Sequence, residues 1–190
     1  IIPQTASAEE VTYYPYGPNL LANPGFETGD LTGWKDTSPT TGSTLAATIT
    51  VYSSVKHSGN YSLKMEASVA SRRGILDQEF IEIVPGQPYM LSGYVKAENW
   101  RKSGTADAEG RLELYYYSAA NANTYVGAYQ RADLPFDEPN GTFDWTYFEV
   151  PVMSHENGRY ARVRLNINKG LGTVWFDDIS LTRAVAADEL

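Results

Sequence analysis

Two short stretches concentrate the side chains that could do chemistry. In NPGFETGDLTGW, Asn23 to Trp34, Glu27 and Asp30 stand among Gly25, Gly29 and Gly33, with Phe26 and Trp34 as apolar plugs. In WFDDISL, Asp177 and Asp178 interrupt an apolar run. Successive strand residues point to opposite faces, so one of these two acids is expected on the core side. A buried carboxylate is costly unless it is paired or metal-bound. Calcium takes roughly six to eight oxygens, drawn from carboxylates and from carbonyls in turns. Glu27 and Asp177 therefore read as candidate calcium ligands. The alternative is that Asp177 caps a turn or meets an arginine.

Enzymatic arrangements are poorly supported. His57 and His155 both lie in turn-like stretches, KHSGN and SHENG, with no nucleophile motif beside them. No H-E-x-x-H, G-x-S-x-G or phosphate-cradling glycine loop occurs. Glu98 and Glu113 are the acids that could flank a glycosidase cleft. Tyr115, Arg164, Gln78 and Lys96 could serve a jelly-roll polysaccharide lyase, but the R-x-E-x-R and Q-[IV]-H stretches of alginate lyases are absent. A hydrolase or lyase thus stands as an alternative to a binding role, as does an adhesion or surface-layer domain that binds protein.

The bulk composition narrows the classes further. With 190 residues, the chain suits one well-packed domain. Its formal charge of -8 argues against nucleic acid, whose phosphates call for a basic face. No apolar run approaches the roughly 20 residues that span a bilayer. Cysteine is absent, which excludes disulfides and thiolate sites. Ala6-Ser7-Ala8 has the small-x-small pattern of a signal-peptidase site, consistent with export. Residues 1–18 read as an arm or a remnant of an export or linker segment, and 184–190 as a linker remnant.

Between them, period-2 alternation dominates. The stretches 47–54, 61–67, 75–84, 89–99, 111–119, 146–153, 161–168 and 173–182 are rich in β-formers and are separated by HSGN, VPGQP, EPNGTFD, HENG and KGLG. No stretch sustains a helical period. An all-β jelly-roll β-sandwich of two antiparallel sheets is expected over residues 19–183. Alternation sets Val163, Leu165 and Ile167 against Arg162, Arg164 and Asn166, and Leu112, Leu114 and Tyr116 against Glu113, Tyr115 and Tyr117. Tyr94, Lys96 and Glu98 similarly oppose Val95 and Ala97. A strand face carrying Tyr, Arg, Asn and Glu suits a polar ligand; the plainer reading is a solvated face with cross-strand pairs.

NLLANPGFETGDLTGW, HSGNYSLKM, VPGQPYMLSGYVKAE and VWFDDISL occur in this order over about Asn19 to Thr182. In this the chain resembles the carbohydrate-binding modules of families 4, 9, 16 and 22, with family 16 the nearest at the start. The resemblance implies a jelly roll with a structural Ca2+, with Glu27 and Asp177 as carboxylate ligands and Gly25 and Asn60 as carbonyl ligands. It also implies sugar recognition through aromatic stacking and hydrogen bonds to hydroxyls. Trp34 corresponds to a tryptophan that is platform in some members and core in others. Trp145 stands at a position that is often structural, Trp175 is expected in the core, and Trp100 is expected to flank the cleft.

The expectation is a non-catalytic module that binds a polysaccharide or oligosaccharide, secreted and covalently linked to a polysaccharide-degrading catalytic domain. The expected contacts are Trp34, Tyr94, Tyr115, Tyr117 and Trp145 as stacking rings, with Gln78, Arg164 and Asn166 bonding hydroxyls. Neutral β-glycans such as cellulose, mannan, xylan or mixed β-glucan fit the negative net charge best, with Arg162, Arg164 and Lys96 as a possible local exception. Two long connections, around residues 99–111 and 118–145, are expected to shape the groove.

Overall fold

The computed structural model describes residues 11–42, 44–69, 72–102, 108–134 and 141–190. Ala6-Ser7-Ala8 lies outside them, as do the middle of the 99–111 connection and residues 135–140 of the 118–145 connection.

The strands are β1 (Tyr13–Tyr16), β2 (Trp34–Asp36), β3 (Leu45–Ala46), β4 (Thr48–Tyr52), β5 (Ser62–Ala67), β6 (Arg72–Gln78) and β7 (Ile81–Glu82). The rest are β8 (Pro88–Lys102), β9 (Glu109–Tyr117), β10 (Tyr125–Asp133), β11 (Phe143–Met153), β12 (Tyr160–Asn168) and β13 (Gly170–Ala186). One sheet has the order β11-β8-β13-β5-β4, with β1 added on β13. The other has the order β10-β9-β12-β6-β2, with β7 on β12 and β3 on β6. All pairings are antiparallel except the short β3–β6 contact, so the expected two-sheet sandwich is what the chain forms.

The core follows from the alternation. Ala161, Val163, Leu165 and Ile167 of β12 are sealed against Leu63, Met65, Val95, Val174 and Phe176 of the other sheet. Gly170 lets the chain pass under an aromatic plug: a Cβ there would sit 2.5 Å from the Trp100 ring. Trp100 is accordingly fully buried and does not flank a cleft. Trp175 is buried too, but between Lys96 and Lys64 on the outer side of the first sheet, because its neighbours Val174 and Phe176 take the core positions.

The ends of the described chain belong to the sandwich. Tyr13 to Tyr16 pair with Ala186 to Arg183, so the arm and the tail set aside in the sequence form a ladder with each other. Asn19 reinforces this join: its Nδ2 donates to the Ile179 carbonyl at 2.9 Å, and its Oδ1 accepts from Leu181 N at 3.1 Å.

Trp34 goes into the core, not onto a platform. It is 6% exposed, packs on Phe26 at 5.4 Å, and donates from Nε1 to the Asn23 carbonyl at 3.0 Å. Phe26 itself is fully buried at φ 60 in a tight turn. Trp34→Ala should therefore cost about 3–5 kcal/mol and lower the melting temperature by roughly 10 °C in calorimetry. A loss of only a degree or two would mean the ring is on the surface.

Candidate functional site

The outer face of the second sheet carries the densest set of ligand-competent side chains. The β9–β12 register places Tyr115 opposite Arg162, Glu113 opposite Arg164, and Arg111 opposite Asn166. On the far side of β12, β6 places Asp77 opposite Arg164. On the far side of β9, β10 places Tyr129 opposite Tyr115 and Arg131 opposite Glu113.

Asp77 organises this face. Its side chain is almost wholly buried, yet it lies on the outer side of the sheet because Arg162 and Arg164 close over it. Arg164 is bidentate on it, Nε to Oδ1 at 2.6 Å and Nη2 to Oδ2 at 3.0 Å. Thr37 donates to Oδ2 at 2.9 Å. Arg162 Nη1 stands 3.8 Å away, and its Nε donates to the Gln78 carbonyl at 2.9 Å. The planar fork of arginine matches a carboxylate, so this pairing fixes the guanidinium before any ligand arrives.

Both guanidiniums also lie over rings. Arg164 Cζ is 4.5 Å from the Tyr115 centroid, and Arg162 Cζ is 4.6 Å from that of Phe80. Tyr115 stacks on Tyr129 at 5.0 Å and 9°, and β10 and β12 flank β9 on opposite sides. The faces of Tyr115 are thus taken, and it offers an edge and a hydroxyl, the latter 3.4 Å from Glu113. Tyr117 meets Phe80 edge-on at 5.0 Å and Tyr125 at 5.8 Å. Tyr125 and Tyr129 are each 42% exposed and carry the accessible ring surface.

Glu113 sits among Arg164, Arg111 and Arg73, and all three favour its charged form. Burial still outweighs them and pushes its carboxyl above the usual range. Burial likewise raises the Tyr115 hydroxyl, helped by Glu113. Asn166 accepts from Arg73 Nε at 3.3 Å. Its buried Nδ2 lies near enough to Glu113 to draw that pKa down, yet completes no hydrogen bond.

The eight expected contacts therefore separate. Tyr115, Tyr117, Arg164 and Asn166 share this face. Gln78 is buried, and its amide donates to the Ala22 carbonyl at 2.9 Å, so it cannot serve a surface ligand. Trp34 is core. Tyr94 and Trp145 lie on the outer face of the other sheet, where His57 stacks on Tyr94 at 3.6 Å and meets Trp145 at 5.9 Å. Lys96 is there too, paired with Asp144 at 2.8 Å. Sequence reasoning missed Tyr125, Tyr129 and Arg131, because β10 was read as part of a long connection. A bulge between Tyr125 and Tyr129, at Gly127, breaks its alternation. The Tyr129, Arg131, Asp133 spacing was the available signal.

The candidate metal corner lies elsewhere, where the 23–29 turn, the 57–61 turn and β13 meet. Glu27 accepts from Asn60 N at 3.0 and 2.9 Å and from Tyr61 N at 3.0 Å. Asp177 has no exposed surface and accepts from His57 N at 2.8 Å and Ser58 N at 3.2 Å. Burial pushes its carboxyl up to about 6, against the pull of those amides. Asp178 accepts from Ser58 Oγ at 2.8 Å and meets His57 Nδ1 at 2.7 Å. Neither acid points at the core: a bulge after Asp177, with Asp178 at φ 49, returns Ile179 to the interior instead. Asp177 thus caps the 57–58 turn and meets no arginine. A Cβ at Gly25 would lie 3.5 Å from both Asp177 Oδ1 and Asp178 Oδ1, and one at Gly59 only 2.4 Å from the Glu27 carboxyl. Among the described residues, no three acid or imidazole side chains form a metal-ligand cluster.

Comparison with known proteins agrees with the fold. A solved family 61 carbohydrate-binding module in complex with β-1,4-galactotriose matches with a TM-score of 0.58 at 18% identity, covering 88% of this chain and 99% of that one. A family 16 carbohydrate-binding module matches at 0.56 and 20%, covering 87% and 100%. The xylan-binding family 22 domain of a Paenibacillus barcinonensis protein matches at 0.51 and 14%, covering 90% and 97%. At these identities the likeness is one of fold. Endo-1,4-beta-xylanase A of Thermoanaerobacterium saccharolyticum is 27% identical over 143 residues, which is 71% of this chain and 12% of that protein. The family model described as "Carbohydrate binding domain" matches residues 18–170. On that match, which spans most of the sandwich, the chain belongs to the carbohydrate binding domain family.

Proposed function

We propose that the outer face of β10-β9-β12-β6 is the polysaccharide platform of a non-catalytic module, carried by a secreted polysaccharide-degrading protein. The observation that carries this is the fixed Arg164, held by Asp77 and lying over Tyr115, beside the exposed rings of Tyr125 and Tyr129. Sugar rings present an apolar C–H face and a rim of hydroxyls. Tyr125 and Tyr129 would take the first; Arg162, Arg164 and the Tyr117 hydroxyl would take the second. Fixing these groups in advance lowers the entropic cost of binding. The xylanase relative and the galactotriose- and xylan-binding neighbours support a β-linked chain as the ligand class.

The same family reading supports a structural Ca2+ at the other corner. Glu27 and Asp177 would supply carboxylates, and Gly25 and Asn60 carbonyls. Gly25 suits this because it lies beside the two aspartates, and Asp177 suits it because a buried carboxylate gains most from a cation. The ion would tie the start of the sandwich to its last strand, at the expense of some of the amide bonds those acids now accept. It would act on stability only.

Two measurements test these readings. In affinity electrophoresis against soluble β-glycans, Tyr129→Ala should weaken binding about tenfold, by about 1.5 kcal/mol. Tyr147→Ala, on the opposite face at 45% exposure, should leave binding unchanged. The reverse pattern would move the platform to the other sheet. For the metal, Ca2+ at about 100 times its Kd should raise the melting temperature by roughly 5–10 °C over the chelated protein. An identical melting temperature with and without chelator would remove calcium from the account.

A further inference from the structure

The charge of the platform is opposite to that of the chain. The protein carries -8 overall, yet Arg73, Arg111, Arg131, Arg162, Arg164, Lys35 and Lys169 line or border this one face. The carboxylates facing them are Asp77, Glu82, Glu109, Glu113 and Asp133. Most of their oxygens are already occupied. Arg164 and Thr37 take Asp77. Arg111 and Arg131 take Asp133, at 2.9 Å each. Arg111 and Lys169 take Glu109. Glu113 is buried against Arg164 and Arg111, and burial raises its pKa against the pull of these arginines.

What remains on the face is an excess of donors. The one hydrogen bond described for Arg73 goes to a neutral amide oxygen, and no carboxylate among the described residues pairs with it. Arg162 reaches its nearest carboxylate only at 3.8 Å. A neutral hydroxyl both donates and accepts, so it answers only half of such a surface. A carboxylate only accepts, and it matches a guanidinium fork with two parallel bonds.

We infer that the platform takes a polysaccharide bearing carboxylates, as uronate units or uronate side groups, with Arg73 and Arg162 receiving the acid and Arg164, whose Nε and Nη2 stay on Asp77, adding its positive charge beside them. The inference rests on the face assignment proposed above and narrows its ligand. The net negative charge of the molecule would repel an acidic polymer, so its binding would depend on this local basic face.

The test compares binding of the purified chain to glucuronoxylan and to polygalacturonate, each beside its own carboxyl-reduced derivative, at low and high sodium chloride. At least one acidic polymer should bind about tenfold tighter than its reduced form, with the advantage lost as salt screens the charges. Arg73→Gln removes a cation without stranding a paired acid. It should lower affinity for the acidic polymer roughly threefold or more and leave affinity for the reduced polymer within about twofold, while the lost bond to Asn166 lowers the melting temperature by only a few degrees and the protein stays folded. Equal binding of acidic and reduced forms, or binding of the neutral forms alone, would overturn the uronate inference while leaving the glycan platform in place. Failure of every acidic and neutral polymer to bind would overturn both.

Discussion

The platform depends on one buried charge on the wrong side of a sheet. Asp77 faces outward from β6, where a carboxylate would ordinarily be solvated, and is closed off by the arginines of β12. Removing a carboxylate from water costs several kcal/mol, and a pairing offsets this only with good geometry and further hydrogen bonds. Here the geometry is bidentate and Thr37 supplies the extra bond. The consequence is directional. Because Arg164 must stay on Asp77, it lies across Tyr115; because Tyr115 is covered on that side, it leans on Tyr129. Side chains of three strands are thereby linked into one surface by a single acid on a fourth.

That arrangement changes what the tyrosines can do. A ring whose faces are occupied by a guanidinium and another ring recognises through its edge and hydroxyl. In the proposed platform Tyr115 would thus be a positioning residue, and the stacking role would pass to the outermost rings on β10. The same covering explains the electrostatics. Glu113 sits beneath the same side chains, so burial raises its pKa although three arginines pull it down. The face is left with more donors than acceptors.

At the opposite corner the constraint is topological. The first turns of the sandwich must be held against its last strand: Asn19 does this directly, and Glu27 and Asp177 do it through the 57–61 turn, from whose backbone amides both accept. Sequence reading found these residues because acids in a glycine-rich turn and inside an apolar strand are each locally anomalous. It also found the sandwich and the inward face of nearly every strand, because alternation encodes side directly. Alternation does not encode which sheet a strand joins, so Tyr94 and Trp145 were grouped with Tyr115 although they lie across the core from it. Nor does it survive a bulge: Gly127 displaces the register of β10 and hid the two most exposed rings of the platform. Gln78 illustrates a third limit, since one step beyond Asp77 the alternation carries its amide inside, where a backbone carbonyl takes it.

The central claim is that the ligand lies on the β10-β9-β12-β6 face. Backbone and arginine side-chain NMR shifts, followed during titration with a soluble oligosaccharide cut from the best-retained polymer, test it most directly. The account predicts perturbations concentrated at Tyr115, Tyr125, Tyr129, Arg162 and Arg164, including the Arg164 Nε–H that is bonded to Asp77. Perturbations concentrated at Tyr94, Trp145 and Tyr147, with the arginine resonances unmoved, would contradict it.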